Sequence, residues 1–224
     1  MKVVVRIGGS VIASPPNPEL IKKYAEIIQS LREQGHELVV IVGGGLLARE
    51  FIQLARNSGL TEAEQDEAAI SVSRLFAQLL AMKLGGLGWK TVPTSEKESS
   101  KTLQKNGIAV MGGLKPGMTT DTVAAMVASE IGAHLIVKAT DQDGVYTKDP
   151  RRHTDAKKLD ELSFDELDRI LEEDRHKAGI HQVIDPEAVK ILKEKRIETV
   201  IVNGFKPENI AAAIRGEKIG TRIQ

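Results

Sequence analysis

Short runs rich in β-branched residues punctuate this chain, and between them apolar positions recur at helical spacing. The runs Val3–Ile7, Leu38–Val42, Thr91-Val92, Ile108–Met111, Leu135–Val137 and Thr199–Val202 are apolar throughout rather than alternating. That pattern predicts strands buried on both faces, as in a largely parallel sheet covered by helices on both sides. After the first run, Leu20, Ile21, Tyr24, Ile27, Ile28 and Leu31 predict a helix, with Asn17 as N-cap, Pro18 at the first helical position and Gly35 as its close. Leu46–Asn57 predicts a second helix ending near Gly59. Glu62–Leu84 predicts a long third one, with Ala69, Val72, Phe76 and Leu79 on one face and Gly85-Gly86 as its stop. Thr94–Lys105 is polar enough for a short solvated helix, and Val123–Ala128 is an alanine-rich helical stretch. Ser163-Phe164-Asp165-Glu166 has capping-box form, Asp185-Pro186-Glu187 opens another helix, and Pro207–Ile214 forms a last short one. Lys148–Leu162 is expected to be a surface loop with room for a hairpin, and a soft boundary between two lobes is expected near residues 150–165.

Three glycine loops interrupt this alternation, each where a predicted strand ends: Gly8-Gly9-Ser10, Gly43-Gly44-Gly45 and the segment Met111–Asp121, M-G-G-L-K-P-G-M-T-T-D. A strand that breaks into glycines and then a helix leaves backbone N–H groups free at the helix start, which suits an anionic ligand. Ligands of open parallel sheets bind beyond the carboxyl ends of the strands. A plainer reading of the third loop is a helix entry capped by Thr119 or Thr120.

Composition narrows the chemistry. Lys plus Arg and Asp plus Glu number 31 each in 224 residues, so no broad basic surface for nucleic acid is expected. With no cysteine, disulfides, thiolate metal sites and a cysteine nucleophile are absent. No apolar run approaches the ~18 residues of a membrane span, and the start of the chain, Met1–Arg6, resembles a first strand rather than a signal peptide. A soluble cytoplasmic protein is the expectation.

Two motifs nearly match and fail. Gly43-x-Gly45-x-x-Ala48 has the dinucleotide pattern but follows the second strand, with no strand-terminal acid about 20 residues on to hold a ribose. Gly112-x-x-x-x-Gly117-Met118-Thr119 imitates a phosphate-binding P-loop, but Met118 stands where the lysine must be. His36, His134, His153, His176 and His181 are scattered, without metal-ligand spacing, and there is no G-x-S-x-G nucleophile elbow. Ser10 fits a phosphate-contacting hydroxyl or a loop cap better than a nucleophile.

Taken in order, I-G-G-S at Ile7–Ser10, V-G-G-G-x-x-A-R at Val42–Arg49, M-G-G-x-x-P-G-x-T-T-D at Met111–Asp121, D-G-V-Y-T-x-D-P at Asp143–Pro150 and G-T-x-I at Gly220–Ile223 resemble the amino-acid kinase family, and within it the short archaeal type of uridylate (UMP) kinase. The resemblance implies one α/β/α sandwich domain over residues 1–224, mainly parallel in its sheet. Residues up to about 135 would form the acceptor side and the remainder the ATP side. By the same likeness Gly8, Gly9, Ser10, Gly45 and Arg49 face the ATP phosphates, and Thr140, Asp141, Tyr146 and Asp149 form the adenine and ribose pocket. Gly44 contacts the UMP phosphate, Asp66 accepts hydrogen bonds from its ribose, and Leu114, Lys115, Pro116, Gly117, Met118, Thr119 and Thr120 wrap the nucleoside. Asp121 organises the loop and its neighbouring donors. Arg6 stands where many family members carry a lysine that steadies the transferring phosphoryl group; Lys138 is a second candidate cation. Asp141 stands where related sequences often have asparagine.

Each of these residues also has an ordinary reading: Asp66 as a solvated carboxylate among Glu62, Glu64 and Glu67, Arg49 as a surface arginine, Tyr146 as packing, Asp149 as a turn before Pro150. The expected reaction is transfer of the ATP γ-phosphoryl group to UMP, with Mg²⁺ held mainly by ATP and water and a homo-oligomer, hexameric by resemblance. The alternatives are another phosphate or carboxylate acceptor (a different nucleotide, isopentenyl phosphate, carbamate or an acidic amino acid) and a non-catalytic nucleotide or oxyanion binder on the same fold.

Overall fold

The computed structural model describes residues 1–85, 91–175 and 184–224. Gly86, His176 and His181 lie outside them. In chain order the elements are β1 (Lys2–Ile7), α1 (Gly9–Ile12), α2 (Pro18–Glu33), β2 (Glu37–Val42), α3 (Gly45–Asn57), α4 (Glu62–Lys83), α5 (Glu96–Asn106), β3 (Ile108–Met111), α6 (Thr120–Ile131), β4 (Leu135–Thr140), β5 (Val145–Tyr146), β6 (Lys158–Leu159), β7 (Glu161–Leu162), α7 (Phe164–Arg175), α8 (Pro186–Lys195), β8 (Glu198–Asn203), α9 (Glu208–Ile214) and β9 (Thr221–Ile223).

One sheet runs in the order β3-β2-β1-β4-β8-β9-β7. Its first five strands are mutually parallel, β9 runs antiparallel to β8, and β7 is parallel to β9. Because strand side chains alternate between faces, β1 feeds two cores. Val3, Val5 and Ile7 join α2, α4 and α9 on one side through Tyr24, Ile28, Phe76, Leu80 and Ile210. Val4 joins α6, α7 and α8 on the other through Val123, Val127, Leu167, Val189 and Leu192. This is the α/β/α sandwich with a mainly parallel sheet that the strand pattern predicts.

The chain passes from β1 to β2 and β3 on one side, then returns to place β4 on the other side of β1. A crevice opens at such a reversal, beyond the carboxyl ends of the strands. All three glycine loops lie on that edge, since β1, β2 and β3 end at Ile7, Val42 and Met111.

The structure departs from the sequence reading in a few places. Thr91-Val92 is not a strand; Val92 is a loop residue wedged against both cores. Leu79 does not share the buried face of α4: Val72, Ser73, Phe76, Ala77 and Leu80 are buried, while Leu75, Leu79 and Met82 form an exposed apolar stripe. The loop after β4 does hold a hairpin, β5 against β6, and Glu161–Leu162 and Thr221–Ile223 extend the main sheet. Strands of two or three residues carry no periodicity to read. The capping box at Ser163 forms as expected, with the Glu166 carboxylate accepting from Ser163 N–H and hydroxyl at 2.8 Å.

Candidate active site

Side-chain caps close the N-termini of most helices. Asn17 caps α2, Thr61 α4, Ser95 α5, Thr119 α6 and Asp185 α8. At the carboxyl ends of β1 and β2 the N-cap positions are Gly8 and Gly44, which make no such bond. Among the described residues, the amides of Gly9, Ser10, Gly44 and Gly45 also meet no protein acceptor. Two helix starts therefore point unsatisfied N–H groups into one space, where a negative charge is favoured.

The glycines are there because the two loops touch. A Cβ on Gly9 would fall inside the backbone of Gly45, and one on Gly43 would stand 2.7 Å from the Gly9 nitrogen. Gly45 adds a left-handed φ of 59° that other residues adopt at a cost. Ser14 locks the pair: its hydroxyl donates to Gly9 O at 3.0 Å and accepts from Leu46 N–H at 2.7 Å. Gly8 serves the fold rather than the cleft, its amide donating to Ala139 O at 2.8 Å.

The cleft so formed encloses about 720 Å³. Its walls include Gly9, Ser10, Gly43–Gly45, Arg49, Thr120, Asp121, Thr140 and Asp141, together with Arg6, Ser14, Lys138, Gln142, Arg151 and Phe205. Four cations (Arg6, Arg49, Lys138, Arg151) face two carboxylates (Asp121, Asp141), so the field suits a polyanion although the chain is neutral overall.

Arg6 and Lys138 are register partners on adjacent parallel strands, so both project on the same face of the sheet. Like charges so placed repel. Asp121, in the first turn of α6, lies between them: its Oδ1 is 2.8 Å from Arg6 Nε, and its Oδ2 accepts from Lys138 Nζ. Arg6 also donates to Thr120 Oγ1 at 2.9 Å. Burial pushes the Asp121 carboxyl upward, but the two cations outweigh it and hold the group below the usual carboxylate range. Burial pushes Lys138 down to about 8, with Asp121 resisting and Arg6 adding to the fall. The result is one anion clamping two cations at the floor of an anion-binding cleft.

Comparison with known proteins settles the family. The model of the amino acid kinase family matches residues 1–203. The chain belongs to that family. Among curated relatives, the uridylate kinase of Methanocaldococcus jannaschii is 40% identical over 226 residues and covers 100% of both chains. That of Methanobrevibacter smithii is 38% identical over 223 residues, covering 100% of this chain and 99% of its own. The uridylate kinase structure from Archaeoglobus fulgidus matches with a TM-score of 0.91 at 40% identity, over 100% of both chains. The UMP kinase of Bacillus anthracis, 22% identical, shares the fold with a TM-score of 0.81 over 100% of this chain and 95% of its own.

Within this family frame, the predicted residues sort into three groups. Arg6, Gly9, Ser10, Gly44, Gly45, Arg49, Thr120, Asp121, Lys138, Thr140 and Asp141 meet at the cleft. The loop Leu114–Thr119 does not line it but adjoins it, held from α4 and α8. Gly117 N–H donates to Asp66 Oδ2 at 2.8 Å, so Asp66 is tied to this loop rather than free in solvent. The Leu114 side chain is buried in the second core, and Met118 packs partly against it. The two threonine hydroxyls are engaged: Thr119 caps α6 and bonds Asp185, and Thr120 receives Arg6. Tyr146 and Asp149 stand outside the cleft lining, Tyr146 paired across the hairpin with Lys158 and Asp149 folded onto its own turn at Arg151 N–H. Gly8 also falls outside it.

Sequence reasoning missed Ser14, Ser73, Arg74 and Asp185. Asp185 caps α8, accepting from Ala188 N–H at 2.9 Å, and at the same time takes Thr122 Oγ1 at 2.9 Å. Only its capping role is readable from Asp-Pro-Glu. Arg151 and Phe205 reach the cleft from loops whose placement no local pattern indicates.

Proposed function

We propose that this protein is a UMP kinase, transferring the γ-phosphoryl group of ATP to a phosphate oxygen of UMP to give UDP and ADP in pyrimidine nucleotide biosynthesis. The observation that carries this reading is the cleft itself. Two uncapped helix starts and a buried two-cation clamp face each other in a chain whose full-length relatives are named uridylate kinases.

The attacking group is an anionic phosphate oxygen, so no general base is required. As it bonds to the γ-phosphorus, the bond to the β–γ bridging oxygen breaks and the charge passes to ADP. The protein brings two polyanions into line and offsets their charge with preorganised donors. Amides of Gly9, Ser10 and Gly45, with Arg49 nearby, hold the ATP phosphates; Thr140 and Asp141 border the ATP side, toward residues 136–224. Gly44 meets the UMP phosphate, and the Asp66-anchored loop Leu114–Thr120 meets the nucleoside. Arg6 and Lys138 face the transferring group, and Asp121 holds both in place.

Mg²⁺ bound together with ATP would supply charge neutralisation at the phosphates. Among the described residues no three His, Asp or Glu converge into a cage. The cleft's carboxylates are Asp121, already gripped by two cations, and Asp141. This donor set fits an ion carried by phosphate and water, with Asp141 the carboxylate open to it.

Among the described residues no helix is long and apolar enough to cross a membrane. We place the enzyme in the cytoplasm, acting on free nucleotides. The exposed stripe Leu75, Leu79 and Met82 on α4 supports a homo-oligomer, hexameric as in the resemblance. The test is turnover of UMP with Mg-ATP by the purified protein, monitored as ADP and UDP. UDP formation supports the reading; binding of both nucleotides without ADP release refutes it. UDP absent while another phosphate acceptor turns over moves the assignment elsewhere in the family.

A further inference from the structure

Helix α4 runs between the second and third glycine loops, and one stripe of it faces the third. Residues 66, 70, 73 and 74 follow the spacing that stacks side chains on one helical face. Ser73 Oγ accepts from Gly113 N–H at 2.8 Å while donating to Ile70 O. Arg74 gives two donors to two consecutive carbonyls: Nε to Gly113 O at 3.0 Å and Nη2 to Leu114 O at 2.8 Å. A Cβ on Gly112 would stand 2.6 Å from the Arg74 nitrogen, so the loop is docked on the helix backbone itself.

The peptide plane converts this grip into a consequence. In a trans peptide, C=O and the following N–H point in opposite directions. With the Gly113 and Leu114 carbonyls drawn to Arg74, the N–H groups of Leu114 and Lys115 turn away from α4. Among the described residues neither amide meets a protein acceptor. A planar guanidinium suits two carbonyls at once, whereas a lysine ammonium is a compact point donor. Among the described residues Arg74 forms no ion pair, so its charge is directed at these oxygens.

We infer that Arg74 is a positioning residue for the phosphate acceptor: it fixes two consecutive peptide planes so that the Leu114 and Lys115 amides are presented to oxygen atoms of the bound nucleoside. This rests on the acceptor assignment above. Wild-type turnover of UMP tests that assignment by itself, and the comparison of variants tests Arg74. The Arg74→Met variant removes both charge-assisted bonds and is expected to raise the KM for UMP about tenfold or more, with the KM for ATP within about twofold. Arg74→Lys recovers part of the loss. Hydrogen exchange of the ligand-free protein should show the Gly113 and Gly117 amides exchanging about tenfold faster in Arg74→Met, with Val4 and Val5 in β1 unchanged. An unchanged KM for UMP, an equal rise for both substrates, or equal exchange at Gly113 and Gly117 overturns the inference. If Arg74→Met does not fold, Arg74→Lys is judged by the same split in KM, and in a wild type inert toward UMP the exchange comparison decides whether Arg74 anchors the loop.

Discussion

The cleft and the loop beside it, the two halves of the proposed site, are made from different materials. The phosphate half is backbone: Gly9 and Gly45 in contact, both held to the ends of core strands, with the charged groups clamped below. The half proposed for the acceptor is a loop that joins the second core through Leu114 and is otherwise held by side chains of α4 and by Asp185 at the start of α8. The first half tolerates no added atom. The second packs on the α4 backbone where it starts at Gly112, but its tip at Gly117 lies in open space and is held by single hydrogen-bonded side chains.

The largest expected effect tests the rigid half. Asp121→Asn leaves Arg6 and Lys138 facing each other without their anion, and should cost about 3–5 kcal/mol of stability. The same change should lower kcat about 100-fold or more, as both cations leave their positions. Urea unfolding and steady-state rates measure the two effects; a variant of wild-type stability and rate breaks the account of the clamp. Gly9→Ala comes next. Its Cβ collides with backbone that has no room to move, and a loss of about 2–3 kcal/mol is expected with a weakened grip on ATP. Its counterpart on the acceptor side, Gly117→Ala, meets open space at a φ of 77°, so only backbone strain of about 1–2 kcal/mol is expected. Equal losses at the two glycines would erase the contrast between the halves.

Lys138 gives that contrast a pH signature. Its ammonium, brought down to about 8 by burial, is lost in the folded protein well before the unfolded chain, which titrates near 10.5. Between those values the unfolded state holds the extra proton, so this group's contribution to stability rises with pH. Activity moves the opposite way: kcat/KM, which follows the ligand-free enzyme, should fall above about pH 8, tenfold per unit in the limit, and Lys138→Arg should abolish the bend because a guanidinium stays charged. A flat profile to pH 10 removes Lys138 from the chemistry. The smallest effect lies on the acceptor side. Thr119→Val removes the α6 cap and the link to Asp185, for about 1 kcal/mol of stability and a higher KM for UMP. The KM for ATP should stay constant.

The same contrast governs what the sequence discloses. Strands β1 to β4 and β8 are legible because burial on both faces demands unbroken apolar runs. The phosphate half is legible because contact between two loops demands glycine at Gly9, Gly43 and Gly45, and such glycines sit at strand ends. Val92 has the composition of a strand residue but packs from a loop, where tertiary context overrides propensity. Leu79 has helical spacing from Phe76, yet faces outward because α4 spends part of its circumference on the third loop. Ser73 and Arg74 meet residues about forty positions away, and Asp185 meets one still farther off. No local pattern marks such pairs, since the chain topology alone brings them together.

On the proposed function, the cleft and its adjoining loop hold two nucleotides end to end, phosphates on bare peptide and nucleoside on the tethered loop. A crystal structure of the protein with UMP and a non-hydrolysable ATP analogue tests it most directly. Phosphate oxygens are expected at the amides of Gly9, Ser10 and Gly45, with uracil against Leu114–Thr120. A structure with UMP bound away from that loop, or with the triphosphate outside the cleft of Gly9 and Gly45, would contradict it.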